Sequence, residues 1–254
     1  MIENKRGQMT IWIIIAAVLL GSILLYFYTE RSTFSLIKEN TDPKPFIERC
    51  ARQYIDEAVT TMLPQGGFIE PNNFKWNDGI KREFLCKHAG YYRACINQHP
   101  MYLNDLKKEI ENYIKPKIEQ CFVSLKEELA KNKETMTLGT LNLSVELMPS
   151  RVRANIQRNI TITTGDETVG MRDFNAEITS PLYELANVAM EITNEEARNC
   201  YFEYTTYDLM HPDVRITKQV KSDSSKIYSV QDKDTLKELT FAIRGCGIPP
   251  GYGA

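Results

Sequence analysis

Apolar and polar positions along the chain fall into three regimes. From Met9 to Tyr28, twenty residues pass without one charged side chain. As a helix this run covers ~30 Å, the thickness of a hydrocarbon core. Trp12 stands at one end and Tyr26 and Tyr28 at the other, where interfacial aromatics belong. The pattern predicts a transmembrane helix over 9–28, preceded by a short N-terminus at 1–8. Residues 29–45 read as a linker, because Pro43 and Pro45 lack an N–H and restrict the residue before them.

A helical period then takes over. Phe46, Ile47, Cys50, Tyr54, Ala58 and Met62 share one stripe, and Gly66-Gly67 stops the helix. A second helix is expected over 101–130, carrying Ile110, Ile114, Ile118, Cys121 and Leu125, with Pro116 expected to kink it or divide it in two. Residues 68–100 between them read as irregular. These parts form a helical segment over 46–135.

Beyond it the period drops to two. Leu141, Leu143, Val145 and Leu147 alternate with polar residues, as in a half-buried strand. The pattern recurs at 153–156, 159–163 and 174–178, with Thr164-Gly165-Asp166 as a turn. A helix is predicted over 181–198 with Pro181 in its first turn, then strands at 214–221, 225–230 and 238–244. This α+β segment spans 136–246, and 247–254 is an irregular tail. The expected fold class is α+β: a transmembrane helix, a disulfide-linked helical hairpin, then a mostly antiparallel sheet with one packed helix.

Charge orients the anchor. Lys5 and Arg6 precede the span, whereas Glu30 and Arg31 follow it and cancel. The positive-inside rule places the N-terminus in the cytoplasm and residues 29–254 outside. With 43% hydrophobic and 25% charged residues the composition is that of a folded protein, and the net charge of -2 gives no basic face for nucleic acid. The expected partners are the membrane and either a protein or a second copy of the chain, and no cofactor is implied.

All six cysteines lie beyond the span, an even number, as in a disulfide framework formed in an oxidising compartment. Cys50 and Cys121 each sit in a helical stripe, so the preferred pairing joins them across a hairpin. Cys86 and Cys95 then close the intervening loop, leaving Cys200 and Cys246 to tie the later segments together. Asn142-Leu143-Ser144 and Asn159-Ile160-Thr161 match the glycosylation acceptor pattern, which by itself assigns nothing.

Candidate chemistry is sparse. Cys86, His88, Cys95 and His99 supply the residue types of a tetrahedral zinc site at unusual spacing. Ser180, His211 and Asp213 can be written as a triad, with nothing in the sequence to bring them together. Glu48 with Asp56, and Glu109 with Glu111, are the acid–base pairs that can be proposed. Tyr91-Tyr92 and the cluster Tyr201, Phe202, Tyr204 and Tyr207 fit either a binding surface or ordinary packing. No Gly-x-Ser-x-Gly, His-Glu-x-x-His or Walker-type motif occurs.

Two features together resemble a known group. Lys5-Arg6-Gly7-Gln8-Met9-Thr10-Ile11, running straight into the span, is similar to the class III signal of archaeal type IV pilin-like proteins. The stretches Phe46 to Cys50 and Met62 to Ile69, with Tyr113 and Cys121, look like an uncharacterised family of archaeal single-pass anchored proteins with a KRGQ-type N-terminus. The resemblance implies peptidase cleavage between Gly7 and Gln8. It departs from pilins in one respect: no acidic residue occurs from Gln8 to Leu20, where pilins carry a glutamate that pairs with a neighbouring subunit.

These observations lead to a non-enzymatic, membrane-anchored extracellular domain with a structural, adhesive or partner-binding role. The alternatives are a filament subunit processed before Gln8 and an anchored metal-dependent or hydrolytic enzyme.

Overall fold

The structure is a computed structural model and describes residues 42–88, 90 and 93–245. The span expected over 9–28, the Gly7 and Gln8 junction, Tyr91-Tyr92, Cys246 and the tail over 247–254 lie outside the described residues. Among the described residues, no helix is long and apolar enough to cross a membrane.

Helix α1, Pro43–Met62, begins earlier than the linker reading allowed. Pro43 and Pro45 occupy its first turn, where backbone N–H groups have no intrahelical partner in any case, so the missing donors cost nothing. Ile47, Ala51, Ile55, Ala58, Val59 and Met62 form its buried stripe. A 3-10 turn, Leu63–Gln65, follows, and Gly66 is left-handed at φ 74°. The Gly67 N–H reaches back to the Met62 carbonyl at 2.9 Å, the bond that closes a glycine-terminated helix end. Gly67 also has φ 86°, and a Cβ there would lie 2.3 Å from Leu106 Cδ2.

Helix α2, Tyr102–Lys131, is continuous through Pro116, so the proline does not divide it in two. Pro116 is solvent-exposed, so the carbonyl left without its partner can turn to water. The buried stripe Ile110, Ile114, Ile118, Cys121 and Leu125 keeps its phase across it. The two helices are antiparallel: Cys50 bonds Cys121, the Tyr113 hydroxyl and the Lys117 ammonium reach Glu57, and the Tyr102 hydroxyl donates to the Gly66 carbonyl.

Two sheets flank the hairpin. One has four strands: β4 (Thr135–Leu138), β5 (Asn142–Met148), β6 (Arg151–Thr164) and β7 (Glu167–Thr179). All its pairings are antiparallel; β5 and β4 follow one another along one side of β6, and β7 runs along the other. The expected turn is the two-residue loop Gly165-Asp166, with Gly165 at φ 62°. Along β6 the odd positions from Arg151 to Thr163 are all polar, whereas the even ones are buried. The dry face meets α1 and α2.

The other sheet corrects the irregular reading of 68–100. It contains β1 (Phe74–Asn77), β2 (Ile80–Lys87) and β3 (Ile96–Asn97) from that stretch, joined to β8 (Val214–Val220), β9 (Ser225–Asp232) and β10 (Glu238–Arg244). Strand order is β1-β2-β10-β9-β8, with β3 also on β2 and a parallel β2–β10 pair in the centre. The strand β2 escapes sequence reading because Arg82, Glu83, Phe84, Leu85 and Cys86 are consecutive and all buried. A strand covered on both faces has no period of two to detect.

Helix α3, Leu182–Asn199, packs on β9 and β10, with Pro181 at its N-cap rather than within the helix. A short helix α4, Tyr204–Met210, lies against β8 and was not anticipated; the Glu203 side chain caps it at the Thr205 N–H. The fold is thus mixed α+β, with four α-helices among the described residues. One apolar cluster runs from the dry face of the four-stranded sheet through the hairpin to α3 and the six-stranded sheet.

Candidate functional site

The cysteines organise the region that the sequence had marked for metal. Cys86 at the end of β2 is disulfide-bonded to Cys95, so neither sulfur is available as a thiolate ligand. His88 accepts the Gly90 N–H through Nδ1 at 2.6 Å. His99 is turned elsewhere, with Nε2 3.5 Å from Glu83 and Nδ1 3.2 Å from Asp105, and the Phe68 ring centred 4.5 Å away. Burial opposes the imidazolium, but the hydrogen bonds and charges of Glu83 and Asp105 prevail and raise its pKa. Glu83 is itself buried and also accepts the Asn73 N–H. His99 is therefore a structural clamp between β2 and the start of α2. Among the described residues, no group of three or more possible ligands is arranged around a metal position.

The proposed acid–base carboxylates serve the backbone instead. Glu109 accepts the Ile69 N–H at 2.9 Å, Glu111 the Val145 N–H at 2.8 Å and Glu48 the Asn175 N–H at 3.2 Å. Glu111 and Glu48 thereby cover donors on β5 and β7, opposite edges of the four-stranded sheet, which would otherwise invite pairing with another chain. Asp56 pairs with Lys237 at 3.5 Å. Ser180 is buried and accepts the Leu182 N–H, His211 stacks on Tyr207 at 4.1 Å, and the Asp213 carbonyl accepts the Lys233 N–H. No hydrogen bond joins these three among the described residues.

The aromatic cluster is gathered around a lysine of the same chain. Lys218 Nζ lies 4.5 Å from the centre of the Tyr201 ring and 4.8 Å from that of Tyr204, an arrangement stabilised by cation–π attraction. Burial and the neighbouring Lys226 lower the pKa of Lys218, against the pull of Glu196 and Glu203. Phe202 is buried against Tyr207 and Tyr228. Deeper still, fully buried Glu196 binds both Lys226 and the Tyr228 hydroxyl, and Lys226 also donates to the Cys200 carbonyl at 2.7 Å. The cluster reads as packing around an internal ion network, with its cation position already filled.

An open recess occurs at a place the sequence did not mark. Between the segment 64–72 and the β1–β2 hairpin lies a groove of about 600 Å³. Trp76 lines it and is 59% exposed. Its ring stands edge-on to Phe74 at 5.6 Å, and Lys81 Nζ lies 4.7 Å from the Phe74 centroid and 5.8 Å from that of Trp76. Ile69 and Pro71 give the groove apolar wall, while Gln65, Glu70 and Lys81 supply hydrogen-bonding and charged groups. Behind it Arg82 donates to the Pro64 carbonyl and ties the two sides together. A large exposed ring with convergent polar groups is what a recognition surface requires. The legible signal was Asp78-Gly79: both have positive φ, 50° and 74°, as a type I′ hairpin turn demands.

Scaffold and groove together define a disulfide-stapled α+β domain with an open, Trp76-lined groove on an edge hairpin. Compared with known proteins, the chain matches no protein-family model, no curated protein and no solved structure.

Proposed function

We propose that the protein is a non-enzymatic domain displayed on the outer side of the cell membrane, anchored by the helix expected over 9–28 and acting through contacts at the Trp76 groove. The observation that carries this reading is the state of the cysteines. Cys50–Cys121 and Cys86–Cys95 are disulfides, and Cys200 is disulfide-bonded as well. Such pairing persists in oxidising compartments and is rare in the cytosol. Further support comes from the chemistry-bearing side chains: Cys86, Cys95, His99, Glu48, Glu109 and Glu111 are each engaged in a bond that holds the fold.

Thiol mapping of the protein from its native membrane tests the reading. Alkylation before reduction is expected to leave Cys50, Cys86, Cys95 and Cys121 unlabelled, and protease added to intact cells is expected to cleave the domain. Labelling of these cysteines without reduction would overturn the outer location. The same peptide map reports the N-terminus. A mature chain starting at Gln8 would move the function to a filament subunit, and one starting at Met1 would leave the anchored domain as stated.

A further inference from the structure

We infer that Asn142 and Asn159 are acceptor sites for N-linked oligosaccharides, placed to clothe the outer face of the four-stranded sheet. Of all the asparagines in the chain, only these two have a hydroxyl residue two positions on with no proline between. The fold sets both on the same surface. Asn142 opens β5 and Asn159 lies on β6. Both asparagines are exposed, as are Ser144 and Thr161, the hydroxyl residues that complete each acceptor pattern.

Strand geometry explains why each pair faces outward together. In extended backbone, positions i and i+2 point to the same side. Ser144 therefore shares a face with Asn142, and Thr161 with Asn159. The side chains between and beside them, Leu143, Arg158 and Ile160, are half-buried or buried. Asn159 also falls where pairing with β7 shifts between Gln157 and Ile160, and the alternation persists through the shift, with Gln157, Asn159 and Thr161 exposed and Arg158 and Ile160 buried.

The amides are free to react. Among the described residues, neither side-chain amide has a hydrogen-bond partner, whereas Asn155 donates to Glu146, Asn187 to the Tyr183 carbonyl and Asn199 to Glu195. Beside Asn142 the face forms a recess of about 680 Å³, lined in part by Ser144, Asn155, Gln157 and Asp173. The first sugars of a glycan would find hydrogen-bonding partners there. The helix-packed side of the sheet is closed to such a group.

The chemistry needs a donor of a defined class, a lipid-linked oligosaccharide carried on a phosphate or pyrophosphate. A bond forms between Asn Nδ2 and the anomeric carbon as the bond from that carbon to the phosphate oxygen breaks. The amide gives up one proton and the lipid phosphate leaves; nothing is oxidised or reduced. Such transfer takes place on the outer side of a membrane, so the inference rests on the location proposed above.

Intact-mass measurement and glycopeptide mapping of the protein from its native membrane, together with thiol mapping of the same sample, form the test. Hexose- or hexosamine-containing adducts are expected at Asn142 and Asn159. Each of N142Q, N159Q, S144A and T161A should remove one adduct and leave the unfolding midpoint unchanged. Asn175, exposed on the same face but followed two residues on by Glu177, should remain bare. Bare Asn142 and Asn159 in a protein with closed disulfides would overturn this inference and leave the outer location intact. Bare asparagines with free thiols would overturn both.

Discussion

The four-stranded sheet has one wet face and one dry face, whereas the six-stranded sheet takes charged groups inside. On β6 the two faces separate residue by residue, and the charges of Arg151, Arg153 and Glu177 stay outside in a cross-strand ladder. Exposed pairs of this kind contribute little; stability comes from Val152, Ala154, Ile156 and Phe174 beneath them. The exception is Arg158, which is buried over the Phe122 ring and bound to Glu119 and the Gly139 carbonyl. In the six-stranded sheet the order reverses. Glu83, Arg82 and Lys226 are buried on its strands, and Glu196 meets them from α3. A parallel pair at its centre leaves no outward face for charge, so Glu83 is held there by the Asn73 N–H and His99, and Lys226 by Glu196 and the Cys200 carbonyl.

The largest effect expected from this difference lies at Glu196. Glu196→Ala leaves the Lys226 ammonium buried without its counter-charge and the Tyr228 hydroxyl buried without an acceptor, and denaturant unfolding should show a loss of about 3–5 kcal/mol. The triple change Glu196→Leu, Lys226→Met and Tyr228→Phe, which removes all three polar groups together, should recover most of it. If Glu196→Ala costs no more than a surface change, the internal network is not what holds that sheet.

The disulfides sharpen the comparison at the next level. Cys50 and Cys121 are separated by 71 residues, and opening that bridge by serine substitution is expected to cost about 4 kcal/mol from loop entropy. The bridge Cys86–Cys95 spans 9 and should cost about 2.5 kcal/mol. Thermal unfolding of the two double-serine variants should rank them in that order; equal losses would point to native packing rather than loop length.

Within the four-stranded sheet, neighbouring residues on β6 should behave oppositely. Ile156→Ala removes buried volume between the sheet and the helices and should cost about 3 kcal/mol. Gln157→Ala, on the wet face, should stay within about 0.5 kcal/mol. A large effect at Gln157 would mean that this face is covered in the working protein.

The smallest effect is a pH slope at His99. Its folded pKa lies above the unfolded one, so its contribution is complete at pH below the unfolded value and is lost as pH rises through the folded value. Urea midpoints should therefore fall modestly from mildly acid to mildly alkaline pH, and His99→Gln should flatten that slope. Asp223 has the opposite sign. Although burial opposes its charge, Lys75 and Ser225 hold its pKa down to about 2, so its contribution is present at neutral pH and is lost only in strong acid.

Much of the four-stranded sheet could be read from the chain because a sheet wet on one side must alternate. Leu143, Val145 and Leu147 advertise β5, and Gly165 marks the turn. The helix over α3 was equally visible, since an amphipathic stripe must repeat at helical spacing. The candidate site was not. Trp76 sits on a strand of four residues, and the groove beside it needs the segment 64–72, which reaches the hairpin only after Gly66 and Gly67 reverse the chain. Glu48, Glu109 and Glu111 looked like ordinary surface carboxylates because the amides they bind lie 127, 40 and 34 residues away.

From the chain alone come the local periods, the helix stop at Gly66-Gly67 and a preference, among fifteen connectivities, for pairing Cys50 with Cys121, since each cysteine stood in an apolar helical stripe. These follow from short-range geometry, in which the side chain's direction is set by its place in the repeat. Long-range packing is what sets β2 at a sheet centre, turns His99 to Glu83 and Asp105 rather than to a metal, and puts Asn142 and Asn159 on one outer face. Each of these depends on which distant segment covers a residue, and burial on both faces, or partnership across many residues, leaves no periodic trace in the chain.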